Sequence, residues 1–76
     1  MIVRCKFLCQ HVKKFRAYDG RMLYEARFTA VTSGSPENKA FFDATPSGIL
    51  ELATYKEDLF PVGAEIYVDL TLTAEA

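Results

Sequence analysis

Four stretches of the chain alternate apolar and polar side chains with a period of two, and one polar interruption separates the second from the third. In the first, Ile2 to Val12, the residues Val3, Cys5, Phe7 and Cys9 stand against Arg4, Lys6, Leu8 and Gln10, as in a strand with one buried face. Odd positions face the core, and His11 continues that face near the strand's end. Lys13 to Arg21, K-K-F-R-A-Y-D-G-R, breaks the alternation. Asp19-Gly20 is a strong turn pair because glycine tolerates positive φ, which predicts a hairpin with a long, basic loop.

The second run, Met22 to Thr32, turns Met22, Tyr24, Ala26, Phe28 and Ala30 inward. If it pairs with the first, Arg4 and Lys6 meet Glu25 across the outer face and help to set the register. The third run, Ile49 to Tyr55, opposes Leu50 and Leu52 to Glu51, and Lys56 to Phe60 bends before Pro61-Val62-Gly63. In the fourth, Ala64 to Leu72, the residues Ile66, Val68, Leu70 and Leu72 face in, and Glu65, Tyr67, Asp69 and Thr71 face out.

The interruption, Thr32 to Gly48, holds two of the three prolines and two of the four glycines. Ser35, Pro36 and Glu37 supply an N-cap, a proline at the first helical position and an acid in the first turn, all of which favour a helix start. The helix runs from Pro36 to Asp43 or Ala44, because Thr45 precedes Pro46 and is pushed out of the helical region. Only about two turns long, it must be held by packing. Phe41 and Phe42 diverge by roughly 100° around such a helix, so one plugs an end of the sheet and the other stays partly free.

These elements predict an α+β, β-rich fold: a curved antiparallel sheet of four or five strands with one short helix between the second and third. The nearest named form is a small barrel of the oligonucleotide-binding type. Residues 1–76 are read as one compact domain, close to the size at which a single core suffices without disulfides or metal. A homodimer is one way to bury more.

Nine basic against ten acidic side chains give a net charge of −1, so the footprint of a general duplex-DNA binder is missing, although a local basic patch is allowed. The apolar runs fall far short of the roughly 20 residues of a membrane span, and the start lacks the order of a signal peptide. The expected location is therefore the cytoplasm. Cys5 and Cys9, about 13 Å apart in an extended strand at roughly 3.3 Å per residue, are too distant for a disulfide. Two thiols and one imidazole do not make the four ligands of a structural zinc site, so buried thiols are expected, with no metal and no cofactor.

No acid, base or nucleophile is placed to work with another. His11 has no clear Ser or Cys partner, and Glu25, Glu51, Glu65 and Asp69 all fall on outward faces, so the chain reads as a binding protein and not an enzyme. Lys13, Lys14, Arg16 and Arg21 cluster around Phe15 and Tyr18, the mixture of cation and aromatic with which proteins hold single-stranded nucleic acid or a nucleotide. Asn38, Lys39 and whichever of Phe41 and Phe42 is exposed form a second candidate contact surface. The Ser33-Gly34-Ser35 turn resembles an anion cradle only loosely, and Glu37 opposes that role.

Taken together, V-R-C-K-F near the start, V-T-S-G-S-P-E-N-K-A-F-F-D-A-T-P-S-G-I-L-E-L, and F-P-V-G-A-E-I-Y-V-D-L-T near the end resemble a widespread group of short phage and prophage proteins without a settled biochemical role. The resemblance covers nearly the whole chain and is weakest from Lys13 to Arg21. It implies a virus-encoded accessory protein in a bacterial host's cytoplasm, acting stoichiometrically, and the expected role is to counter a host defence through contact with a host protein or a nucleotide. The alternative is a single-stranded nucleic-acid-binding protein using the sheet face and the first loop.

Overall fold

The computed structural model describes residues 2–43 and 45–73. In chain order the elements are β1 (Ile2–Arg16), β2 (Met22–Ala30), α1 (Pro36–Phe42), β3 (Ile49–Thr54) and β4 (Glu65–Thr71). All neighbouring strands are antiparallel and the sheet order is β3-β2-β1-β4. The sheet curls into a half-barrel with the helix against it. β3 and β4 form its two edges, so the described residues build a four-stranded, barrel-like sheet, within the four or five strands expected.

β1 is the spine. Its first half pairs with β4, from Ile2 opposite Thr71 to Leu8 opposite Glu65, and its second half pairs with β2, from Phe7 opposite Ala30 to Arg16 opposite Met22. This division corrects the expected ion pairs. Arg4 meets Asp69 at 2.7 Å and Lys6 reaches Glu65 at 3.9 Å, whereas Glu25 lies opposite Lys13 near the other end of the strand.

A β-bulge changes the phase of β1. Cys9 sits opposite Phe28 and His11 opposite Arg27, which leaves Gln10 as an extra residue. Before the bulge the odd residues Cys5, Phe7 and Cys9 are buried; after it, Val12 and Lys14 turn to the concave face beside Tyr24 and Ala26. His11 is therefore exposed and does not continue the inward face. The strand also continues through Lys13, Lys14, Phe15 and Arg16, so the expected long loop shrinks to a turn around Tyr18, Asp19 and Gly20. In that turn Gly20 takes φ of 89°, which its missing Cβ permits.

The core comprises Cys5, Phe7, Cys9, Ala26, Phe28 and Ala30, with Val3, Val12, Phe42, Leu50, Phe60, Ile66 and Val68 packed around it. Phe28 is wholly buried and meets the Phe60 ring edge-on at 5.1 Å. Burying such a ring contributes about 1.5–3 kcal/mol. Leu72 has the inward parity but lies beyond the last paired residue of β4 and is 82% exposed, contrary to the expected inward position.

The helix begins where Ser35, Pro36 and Glu37 predict. Ser35 has extended backbone angles, and its hydroxyl accepts the Asn38 N–H at 3.3 Å while donating to Glu37. Asp43 closes the helix in the left-handed region at φ of 51°, its N–H returning to the Lys39 carbonyl. Ala44, the alternative end point, lies outside the described residues. What holds this short helix to the sheet is the side chain of Asn38. Its Oδ1 accepts the Lys6 N–H at 2.6 Å, and its Nδ2 donates to the carbonyls of Lys6 and Val31 at 2.7 and 2.9 Å.

Candidate functional site

The β1–β2 hairpin carries most of the candidate residues, and the strand register sorts them onto two faces. Lys13 and Phe15 share the outer face, with Phe15 directly opposite Leu23. Lys14 lies on the concave face, its Nζ 5.8 Å from the centre of the Tyr24 ring. Arg16 donates from Nη1 to the Gly20 carbonyl at 2.8 Å, tying the strand end to the turn. Tyr18, at the tip, is fully exposed.

Arg21 joins the turn to the outer face. Its Nε lies 2.7 Å from Asp19, and its guanidinium stacks over the Tyr55 ring at 3.9 Å. Tyr55 follows Thr54, which sits opposite Tyr24, so alternation puts it on the face of Leu23 and Phe15. The outer face at this end thus carries Phe15, Leu23 and Tyr55 in a row across β1, β2 and the end of β3, with cations beside it. Phe15 and Tyr55 are 42% and 47% exposed, enough ring surface to receive a flat ligand.

Tyr55 was not among the residues singled out from the chain. Its only signal is its parity with Leu23, and that becomes visible once β3 is in register with β2. The same holds for the concave side, where Val12, Lys14, Tyr24, Lys56, Phe60 and Pro61 contribute to a cleft of about 500 Å³. Its lining is mostly apolar, with two lysines, Lys14 and Lys56, and one carboxylate, Asp58, among its polar residues.

The second candidate surface does not survive intact. Asn38 is wholly buried and spends its amide on the sheet, so it is a structural residue and not a contact residue. Lys39 remains exposed at the rim of a shallow groove bounded by Thr32 to Pro36 and by Thr45 and Pro46. Phe42 packs against the core, whereas Phe41 stands edge-on to it at 4.8 Å and stays 45% exposed. In the Ser33-Gly34-Ser35 turn, the Ser35 hydroxyl is engaged by Asn38 and Glu37, as expected of a helix cap.

Charge is unevenly distributed along the chain. Between Lys13 and Arg21 there are four cations and one carboxylate; elsewhere five cations face nine carboxylates. Lys13, Lys14 and Arg16 enter no ion pair among the described residues, whereas Arg4 and Lys6 are paired with acids on β4. The Arg4 guanidinium, hydrogen-bonded to Asp69, holds that carboxyl below its usual range, and burial pushes the Cys5 thiol up. Among the described residues no group of three or more His, Cys, Asp or Glu side chains could hold a metal ion. No helix among them is long and apolar enough to cross a membrane.

Comparison of the chain with known protein families, curated proteins and solved structures finds no match.

Proposed function

We propose that the protein acts by stoichiometric binding, without catalysis, and that its ligand is single-stranded nucleic acid laid across the outer face of the hairpin end. One observation carries this reading: Phe15, Tyr18 and Tyr55 are exposed at the end of the molecule that gathers Arg21 with Lys13, Lys14 and Arg16, the last three outside any ion pair among the described residues. Base stacking on such rings is worth about 1–3 kcal/mol per base and tolerates any sequence, because every base has a π-face. Lys13 and Arg21 stand on that face where a sugar-phosphate chain would pass, and Arg16 lies at the strand end, tied to the turn. By analogy, oligonucleotide-binding barrels use the face of strands two and three with the first loop, which is the placement of Leu23, Tyr55 and Tyr18 here.

The test is fluorescence anisotropy of a labelled single-stranded oligonucleotide and of its duplex, titrated at several salt concentrations. Engagement of three or four phosphates gives a log–log salt slope of about −2 to −3, from roughly 0.7 per phosphate. Single strands bind more tightly than duplex, and the K13E/R21E variant loses most of the affinity. Absence of salt-dependent binding, or equal binding by the double variant, rejects the reading.

A second reading rests on the concave cleft. Its apolar lining, Tyr24 and the two lysines Lys14 and Lys56, which outnumber the one lining carboxylate Asp58, suit a small aromatic anion such as a mononucleotide. That is the ligand through which a phage-type accessory protein would counter a host defence by sequestration. Saturable, salt-tolerant binding of mononucleotides, weakened by Lys14→Glu and indifferent to Tyr55→Ala, selects it over the first reading.

A further inference from the structure

The half-barrel exposes more surface than a chain of its size should. Its accessible area is 5755 Å², about 1,000 Å² above the ~4,700 Å² expected of a compact 8.6 kDa chain. The radius of gyration is 14.5 Å, against about 11 Å for a compact domain of this length. A stable interface takes about 800 Å² from each partner, so the excess is comparable in size to what one interface would cover.

Part of the exposed apolar surface lies along one sheet edge. β4 is a seven-residue edge strand without lysine, proline or bulge, and of the usual devices that keep an edge from pairing it carries only two carboxylates, Glu65 and Asp69. Tyr67, Leu70 and Leu72 are exposed along and just beyond it. The Cys9 N–H donates to the Ala64 carbonyl, which fixes the parity of the backbone. Even-numbered residues therefore turn their N–H and C=O groups to β1, and Glu65, Tyr67, Asp69 and Thr71 turn theirs to the open edge.

We infer that the occupant of this edge is a second copy of the chain, paired antiparallel through β4 with Val68 on the two-fold axis. This register uses the whole strand. Glu65 lies opposite Thr71 of the partner copy, Tyr67 opposite Asp69, and Ile66 opposite Leu70, with inner faces matched to inner faces. The four outward-turned residues form about eight interchain hydrogen bonds, two for each bonded pair. No carboxylate meets another.

The neighbouring registers fail on charge. Moving the axis to Tyr67 sets Glu65 against Asp69 of the partner copy, and moving it to Asp69 sets that carboxylate against itself. β3 is the poorer edge for the same reason. The Ala30 N–H donates to the Gly48 carbonyl, so Ile49, Glu51 and Ala53 turn their backbones outward, and a pairing that uses all three puts Glu51 on the axis facing its own copy. Pairing β3 with β4 of another chain would be head-to-tail and would not close, giving fibres. The β4 pair closes as a dimer with one eight-stranded sheet, and a net charge of −1 opposes it little.

Sedimentation equilibrium of the full chain tests the inference with two variants at one site, Thr71→Glu and Thr71→Lys. The wild type sediments at twice 8.6 kDa at micromolar concentration. In the dimer, position 71 faces Glu65 of the other copy twice, so T71E weakens association by roughly tenfold and T71K strengthens it, two cross-strand charge pairs changing together. Circular dichroism and urea midpoints confirm that both variants fold. A wild-type monomer throughout the range overturns the inference, as does a dimer that responds equally to both substitutions.

Discussion

The side-chain amide of Asn38 closes on both backbone groups of Lys6, accepting the N–H at 2.6 Å and donating to the C=O at 2.7 Å. Val31 still donates its N–H to the Lys6 carbonyl, but its own carbonyl turns to Asn38. One rung of the β1–β2 ladder is thus completed by a side chain from the helix, at the point where β2 ends and the chain leaves the sheet. An amide suits this place because it offers one acceptor and two donors to one N–H and two carbonyls.

Asn38→Ala leaves the Lys6 N–H and the Val31 carbonyl without protein partners in a buried place. At about 1–3 kcal/mol for each unsatisfied group, partly offset by water, the variant loses roughly 2–4 kcal/mol of stability. Asn38→Asp fares no better at neutral pH, because a carboxylate can take the N–H but only repels the two carbonyls. Urea denaturation measures both, and losses under about 0.5 kcal/mol would mean that the amide is dispensable.

The Arg4–Asp69 pair makes stability depend on acid. Asp69 titrates below its ordinary value of 3.8 in the folded chain, chiefly through its hydrogen bond to Arg4. A lowered folded-state value means that the contribution is present above the ordinary value and is lost as pH falls through the folded one. Thermal midpoints of wild type and Asp69→Asn should differ at pH 6, and the gap should begin to narrow near about pH 4, keep closing as the pH falls further, and shrink in high salt. A gap that persists unchanged at pH 2 would contradict this.

Cys5 and Cys9 are each 1% exposed and free. Burial also pushes the Cys5 thiol above its ordinary value, so the thiolate that reacts with disulfide reagents is scarce. In the native protein Ellman's reagent should find neither thiol over minutes at pH 8, and in urea it should find both. Prompt native labelling would show that the core opens readily.

Tyr55 and Phe15 bear unequal parts of the proposed contact. Tyr55 is already covered on one side by Arg21, so its loss also releases that guanidinium. Tyr55→Ala and Phe15→Ala should each weaken single-strand binding by about 1–3 kcal/mol, the usual worth of one stacked base. The Tyr55 variant should also steepen the response to Arg21→Gln. Anisotropy titrations of the single and double variants measure this coupling, and strictly additive losses would show that the two residues act apart.

The strands and the helix were legible because each rests on a local rule. Period-two alternation marks a half-buried strand whatever its partner, and Ser35-Pro36-Glu37 starts a helix through its own hydroxyl and fixed φ. The bulge was not legible. Leu8 and Val12 are both apolar, so the phase of β1 near Gln10 fits either parity until Arg27 and Phe28 are laid beside it. The role of Asn38 was hidden for a different reason: an asparagine in the first turn of a helix is ordinarily solvated, and only the approach of Lys6 and Val31 buries it. Tyr55 was missed because its partners, Leu23 and Arg21, belong to another strand and the turn before it.

The extra residue at Gln10 divides β1 into two segments that answer to different demands. Up to Cys9 the odd positions are committed to the core, and from Val12 onward the even positions line the cleft. Tolerance to substitution should therefore switch parity within a single strand: polar replacements fail at odd positions on one side of Gln10 and are accepted at odd positions on the other. Removing that residue keeps Val12 opposite Ala26, so a strand shorter by one can preserve the hairpin register, and natural variation in length has a place there to be absorbed.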